Sequence, residues 1–171
     1  MTSRSSHPVR VEFAAPHAIA AVRASMAVAD VPRRFAEYLN QVYAASRDGG
    51  VQLDGQNVFV YHDGTDLDGA SEIDFGVGVA APFAPIGPVR YAALPTGEAA
   101  ATTHWGDYSG LGEAHGAVIA WCREHGRALA GTRWEMYGHW SDDPASRRTD
   151  VYYLLRRGPA EQRARQGSSR E

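Results

Sequence analysis

Residues 109–140, SGLGEAHGAVIAWCREHGRALAGTRWEMYGHW, decide how this chain is read. Leu111, Ala114, His115, Val118, Trp121, Cys122 and His125 recur at three- and four-residue spacing, the period of one helix face. Ser109 offers an N-cap oxygen and Gly126 a stop. Beyond Gly126 the period changes to two. Arg133, Glu135, Tyr137 and His139 then share one face of a strand, and Trp134, Met136, Gly138 and Trp140 the other.

Further strands are expected on both sides of this unit. Residues 89–94 and 98–105 precede the helix, and residues 149–155 follow the strand at 133–140. The first half repeats the order. Strands at 9–13 and 18–27 lead to a helix with Asp30 as N-cap and Pro32 in its first turn, where a missing N–H is harmless. Val31, Phe35, Tyr38, Leu39, Val42 and Ser46 form its stripe, Gly49 and Gly50 end it, and strands at 57–63 and 72–80 follow. Residues 81–88, APFAPIGP, hold three prolines and read as a stiff connector.

A shift of 76 residues lays one half on the other: Gly50 on Gly126, Val42 on Val118, Tyr61 on Tyr137, Asp74 on Asp150 and Val79 on Leu155, without a gap. The expected fold is therefore α+β: a duplicated strand-strand-helix-strand-strand unit in two antiparallel sheet and helix layers, related by a pseudo-twofold with a central ligand cleft. At the same shift Phe59 falls on Glu135, so an acid replaces a large aromatic in an apolar strand. The Val58/Val60 and Trp134/Met136 side is expected under the helices, which leaves Phe59, Tyr61, Glu135 and Tyr137 facing the seam between the halves. A carboxylate in such a site bears a desolvation penalty and is expected to have a raised pKa, fit for a cation receptor or a general acid or base. Phe59, Tyr61, Trp105, Tyr108, Tyr137 and one of Tyr152 and Tyr153 suit a flat cleft that stacks aromatic ligands. Strand alternation allows only one of the last two to line it, and Tyr152 is assigned.

The chain has 171 residues, 44% hydrophobic and 22% charged, values of an ordinary globular domain. Its formal charge of −3 argues against a dedicated nucleic-acid binder. All 17 basic residues are arginine, with five among residues 156–171. One cysteine, Cys122, excludes an intrachain disulfide and suits a reducing cytoplasm. No segment has the run of apolar residues a membrane helix needs, and the start lacks the apolar core of a secretory signal. Residues 1–7 and 158–171 read as polar tails around a domain at 8–157, with repeats at about 8–81 and 88–157. Cys122-x-x-His125 is half of a zinc motif with no second half, and the pair reads as packed core. His115 reads as a satisfied half-buried histidine. Asp63, Asp66, Asp68, Glu72 and Asp74 lack the spacing of a calcium loop and read as a solvated hairpin. Gly76-x-Gly78 lacks the third glycine and helix of a dinucleotide loop. Neither a metal nor a cofactor is expected.

Leu94-Pro95-x-Gly97, Gly106-x-Tyr108 before a helix with Leu111, Trp121 near its end, Trp134-Glu135-x-Tyr137 and Thr149-Asp150-Val151-Tyr152 together resemble the GyrI-like small-molecule-binding domain, also called the bacterial transcription-activator effector-binding domain. The match spans about residues 88–155, with the first half as the degenerate copy. Trp105 departs from it, standing where a polar residue is expected. The resemblance implies a duplicated fold with a cleft for lipophilic, often cationic, aromatic compounds, and an acid, here Glu135, facing the cation. It also implies two roles: a binder acting in sequestration or resistance, or a hydrolase of electrophilic cyclopropane-bearing products, with Glu135 directing water and Tyr137 as acid. Haem binding and a protein-inhibiting module are weaker alternatives. With eight residues before the first strand, a stand-alone form without a DNA-binding domain is expected.

Overall fold

The computed structural model describes residues 6–62 and 69–158. Its strands are β1 (Arg10–Ala14), β2 (Ala18–Ala27), β3 (Leu53–Tyr61), β4 (Ala70–Val79), β5 (Arg90–Ala93), β6 (Gly97–Trp105), β7 (Leu129–Tyr137) and β8 (Arg148–Leu155). The helices are α1 (Val31–Arg47) and α2 (Leu111–Glu124). Strands and helices alternate as the sequence periods require, and the fold is α+β.

The two halves do not stack as separate sheet layers. All eight strands form one antiparallel sheet in the order β1-β6-β8-β7-β3-β4-β2-β5. The halves join edge to edge through β3 and β7, where Phe59 pairs with Glu135 and Val60 with Trp134. Each half also lends its first strand to the other: β1 lies beside β6, and β5 beside β2. The strand order reads the same from either end when the first four strands exchange with the last four.

Register supports the repeat in detail. The β3–β4 ladder recurs in β7–β8 at the 76-residue shift, pair for pair: Phe59↔Phe75 becomes Glu135↔Val151. Even the irregularity between Leu53 and Asn57 returns between Leu129 and Arg133. The second strands match at 80 instead, since Ala20↔Val77 becomes Ala100↔Tyr153. The offset of 80 still holds at the helix starts, Val31 and Leu111, so the copies differ in the helix itself, 17 residues in α1 and 14 in α2.

The helices cover the opposite face from the one expected. Leu39, Val42 and Ala45 of α1 pack with Phe59, Tyr61, Phe75 and Val77. Ala114, Val118 and Cys122 of α2 pack with Ala100, Val151 and Tyr153. Val58, Val60 and Trp134 belong to a second core on the helix-free face, with Ile19 and Ala21 of β2 and Ala99 of β6. β2 and β6 stand near opposite ends of the sheet, so that face closes by curling on itself. Within this core Gly76 of β4 leaves room for its neighbour on the adjacent β2: a Cβ there would lie 2.7 Å from the Ile19 side chain. The apolar Val58/Val60 pattern was a true core signal, but alternation cannot say which of two cores a face belongs to.

Three local expectations also change. Asp30 makes no capping hydrogen bond and instead pairs with Arg33. Asp107, not Ser109, caps the turn ahead of α2, accepting from the Ser109 N–H at 3.4 Å. His7 is no loose tail residue: it is buried, and its Nε2 lies 3.0 Å from His104 Nδ1. Gly49 and Gly126 follow the two helices with positive φ of 80° and 62°, as helix-ending glycines do. Residues 1–5, 63–68 and 159–171, with most of both expected tails and most of the acidic hairpin, lie outside the described residues. Glu72 and Asp74 of that hairpin are in β4, and Asp74 is buried.

Candidate functional site

On the helix side, directly over the β3–β7 junction, a cleft of about 580 Å³ opens between the first turns of α1 and α2. Val31 and Phe35 of α1 form one wall, and Leu111 and His115 of α2 the other. Phe59, Tyr61, Glu135 and Tyr137 form the floor, with Tyr108 and Trp140 at one end. The aromatic rings brace each other. Phe59 and Tyr137 lie 4.8 Å apart, and Tyr108 meets Tyr137 edge-on at 5.5 Å.

Glu135 is 5% exposed. Its Oε1 accepts from His115 Nε2 at 2.7 Å. Its Oε2 accepts from the Tyr137 hydroxyl, and from the Tyr61 hydroxyl at 3.5 Å. A carboxylate can only accept, so His115 Nε2 is the donor to Oε1, and His115 Nδ1 meets the Tyr153 hydroxyl at 2.7 Å. Arg133 is 1% exposed and lines the same cleft, its guanidinium carbon 4.4 Å from the centroid of the Tyr61 ring. Its Nε has no hydrogen-bond partner among the described residues.

These contacts overturn the expected pKa shift. Burial by itself pushes the Glu135 carboxyl up, but the His115 hydrogen bond and charge, the Tyr137 hydroxyl and the Arg133 charge together bring it below the ordinary value. Glu135 is therefore an ionised acceptor at neutral pH. Burial and the neighbouring carboxylate push the Tyr61 and Tyr137 hydroxyls well up, so both remain proton-bearing donors.

Of the residues singled out from sequence, Glu135, Tyr137, Phe59, Tyr61 and Tyr108 meet in the cleft. Trp105 does not: it sits at the end of β6, 59% exposed, with the Arg148 guanidinium 5.8 Å from its ring centroid. Tyr152 does not either. It stacks on Trp134 on the helix-free face, with centroids 5.1 Å apart and planes 4° from parallel. Because Arg133 pairs with Tyr153 and Trp134 with Tyr152, alternation turns Tyr153 to the cleft side, where it supports His115 from below. His115, Arg133, Phe35, Leu111 and Trp140 were not singled out for the cleft. Two of them carried a signal: at the 76-residue shift His115 falls on Leu39 and Arg133 on Asn57, changes of polarity or charge like that of Phe59 to Glu135.

An aromatic-walled cleft of this size with one convergent polar cluster is the form of a small-molecule-binding site. The sequence matches the GyrI-like small molecule binding domain over residues 7–156, and the chain belongs to that family. Solved structures share its fold at low identity. The C-terminal domain of EcmrR superposes with a TM-score of 0.74 at 16% identity, over 90% of this chain and 99% of that one. SAV2435 bound to tetraphenylphosphonium gives 0.63 at 10% identity, over 91% and 96%. A hydrolase encoded by lin2189 from Listeria innocua gives 0.54 at 12% identity, over 86% and 91%. No curated protein sequence matches the chain. No helix among the described residues is long and apolar enough to cross a membrane.

Proposed function

We propose that this protein binds lipophilic aromatic small molecules in the cleft over the β3–β7 junction, holding them out of solution as a sequestering or resistance protein. One observation carries the reading. The fold builds equivalent strand positions twice, and in the first half it fills them with Phe59 and Val77, both buried in apolar core. The second half places Glu135 and Tyr153 there and joins them through His115 into a hydrogen-bonded chain. A buried polar chain seldom stabilises a fold better than apolar packing of similar volume. Its presence in one copy alone, at the floor of a cleft, points to a ligand.

Titration with tetraphenylphosphonium and with the neutral triphenylphosphine oxide, followed by tryptophan fluorescence, tests this. Saturable one-to-one binding of at least one probe is expected, weakened about tenfold or more in Phe35→Ala. Lack of saturable binding to either probe would overturn the reading.

The ionised state of Glu135 favours a second reading, a hydrolase in which that carboxylate directs water at an electrophilic ligand. Tyr137 is poorly suited as its acid, since its hydroxyl holds the proton too firmly. With a cyclopropane-bearing electrophile, Glu135→Gln should then still bind but lose turnover about 100-fold or more. Absence of turnover in the unaltered protein leaves the binder alone. Among bound ligands, the choice between cations and neutral molecules depends on how much of the Glu135 charge is left uncompensated.

A further inference from the structure

Glu135 is not a lone acid in this cleft. Arg133 stands two residues away on the same face of β7, equally buried, and also lines the cavity. Its Nε has no partner among the described residues, and its guanidinium lies over the Tyr61 ring instead of on a carboxylate. A second guanidinium, Arg147, lies 3.9 Å from the centroid of the Trp140 ring at the end of the cleft. The first turns of α1 and α2 both border the cavity, so the positive ends of two helix dipoles face it. One carboxylate, already accepting from His115, Tyr137 and Tyr61, opposes all of these.

Resting on the binding reading above, we infer that the cleft selects aromatic ligands that carry a hydrogen-bond acceptor oxygen, uncharged or carboxylated, and discriminates against lipophilic cations. The acceptor oxygen of the ligand, a carbonyl, phosphoryl or carboxylate, is drawn to the Arg133 end of the floor. The rings lie between Phe35 and Trp140. A cation entering the same space meets a carboxylate whose charge the Arg133 guanidinium and the His115, Tyr137 and Tyr61 donors already offset.

Three phenyl-bearing probes separate the cases: cationic tetraphenylphosphonium, neutral triphenylphosphine oxide and anionic tetraphenylborate. In the unaltered protein the oxide is expected to bind at least as tightly as the cation. Arg133→Met should tighten the cation about tenfold or more relative to the oxide, while Arg133→Lys, which keeps the charge, should retain the original order. Should Arg133→Met fail to fold, the order of the three probes on the unaltered protein still decides. A cation that binds about tenfold or more tighter than the oxide would overturn the inference and leave the binding reading standing. An Arg133→Met protein that folds and keeps the original ratio would do the same. Binding of none of the three would overturn both.

Discussion

The two halves of this sheet share a register to the residue, yet they are built of different chemistry. In the first, Leu39, Phe59 and Val77 make a wall of apolar contacts, with Phe59 also packed against Phe35 and Phe75. In the second, Glu135 and Tyr153 stand at the positions of Phe59 and Val77 and join through His115 in a hydrogen-bonded chain, flanked by Arg133 where the first half has Asn57. Since the apolar copy folds into the same ladder, that ladder does not need the polar chain. What differs between two equivalent positions of one fold is where function is to be sought.

Removing one member of the polar chain should produce the largest effect. Glu135→Leu leaves His115, Tyr137 and the Arg133 charge without their acceptor, and should destabilise by about 3–5 kcal/mol in denaturant titration. The equivalent change in the first half, Phe59→Leu, only trims an apolar contact and should cost about 1 kcal/mol. Equal losses at the two positions would break the comparison.

A smaller effect distinguishes another matched pair, Asp74 and Asp150. Asp74 is buried and held by Arg23 at 2.9 Å, Arg90 at 2.7 Å and His62 at 2.7 Å. Burial raises its pKa, but His62, Arg23 and the Arg90 charge outweigh that and hold it far below the ordinary carboxylate range. A carboxyl depressed on folding stabilises fully above its unfolded pKa, and the benefit is lost as pH falls toward its folded value. Asp74→Asn should therefore cost about 2 kcal/mol at neutral pH, with the gap to the unaltered protein closing below about pH 4. A gap independent of pH would show that shape, not charge, matters there.

The smallest effect is expected at Cys122, which stands in the last turn of α2 as Ala45 does in α1. The thiol is buried on α2, and burial pushes its pKa up. Cys122→Ser should cost about 1 kcal/mol or less, and native-state maleimide labelling should be slow. Rapid labelling would show that the α2 core opens readily.

Much of this was legible in the sequence. Both helices carried clean 3.6-residue stripes, and the shift of 76 placed Phe59 against Glu135, the pair that joins the halves. Strand edges were less clear: β3 and β7 begin at Leu53 and Leu129, before an irregularity that breaks the two-residue alternation. The assignment of faces failed for a physical reason. Val58 and Val60 are as buried as Phe59 and Tyr61 because the sheet has cores on both sides, and periodicity reports burial, not which layer supplies it. Tyr152 was assigned to the cleft without a β7–β8 register, and its pairing with Trp134 turns it to the other face. Arg133 was placed on the strand face of Glu135, but nothing local in the sequence says that its guanidinium will be covered by Tyr61.

The central claim, that the polar chain serves a ligand and not the fold, is tested most directly by converting it whole. The variant combines His115→Leu, Arg133→Met, Glu135→Leu and Tyr153→Phe, so no buried charge is left unpaired. Its thermal stability is measured beside its titration with triphenylphosphine oxide. The account predicts a cooperative fold as stable as the original protein or about 1–4 kcal/mol more so, with binding of the probe lost. A variant that cannot fold would show that the chain is structural, and one that folds and binds the oxide undiminished would show that the ligand sits elsewhere.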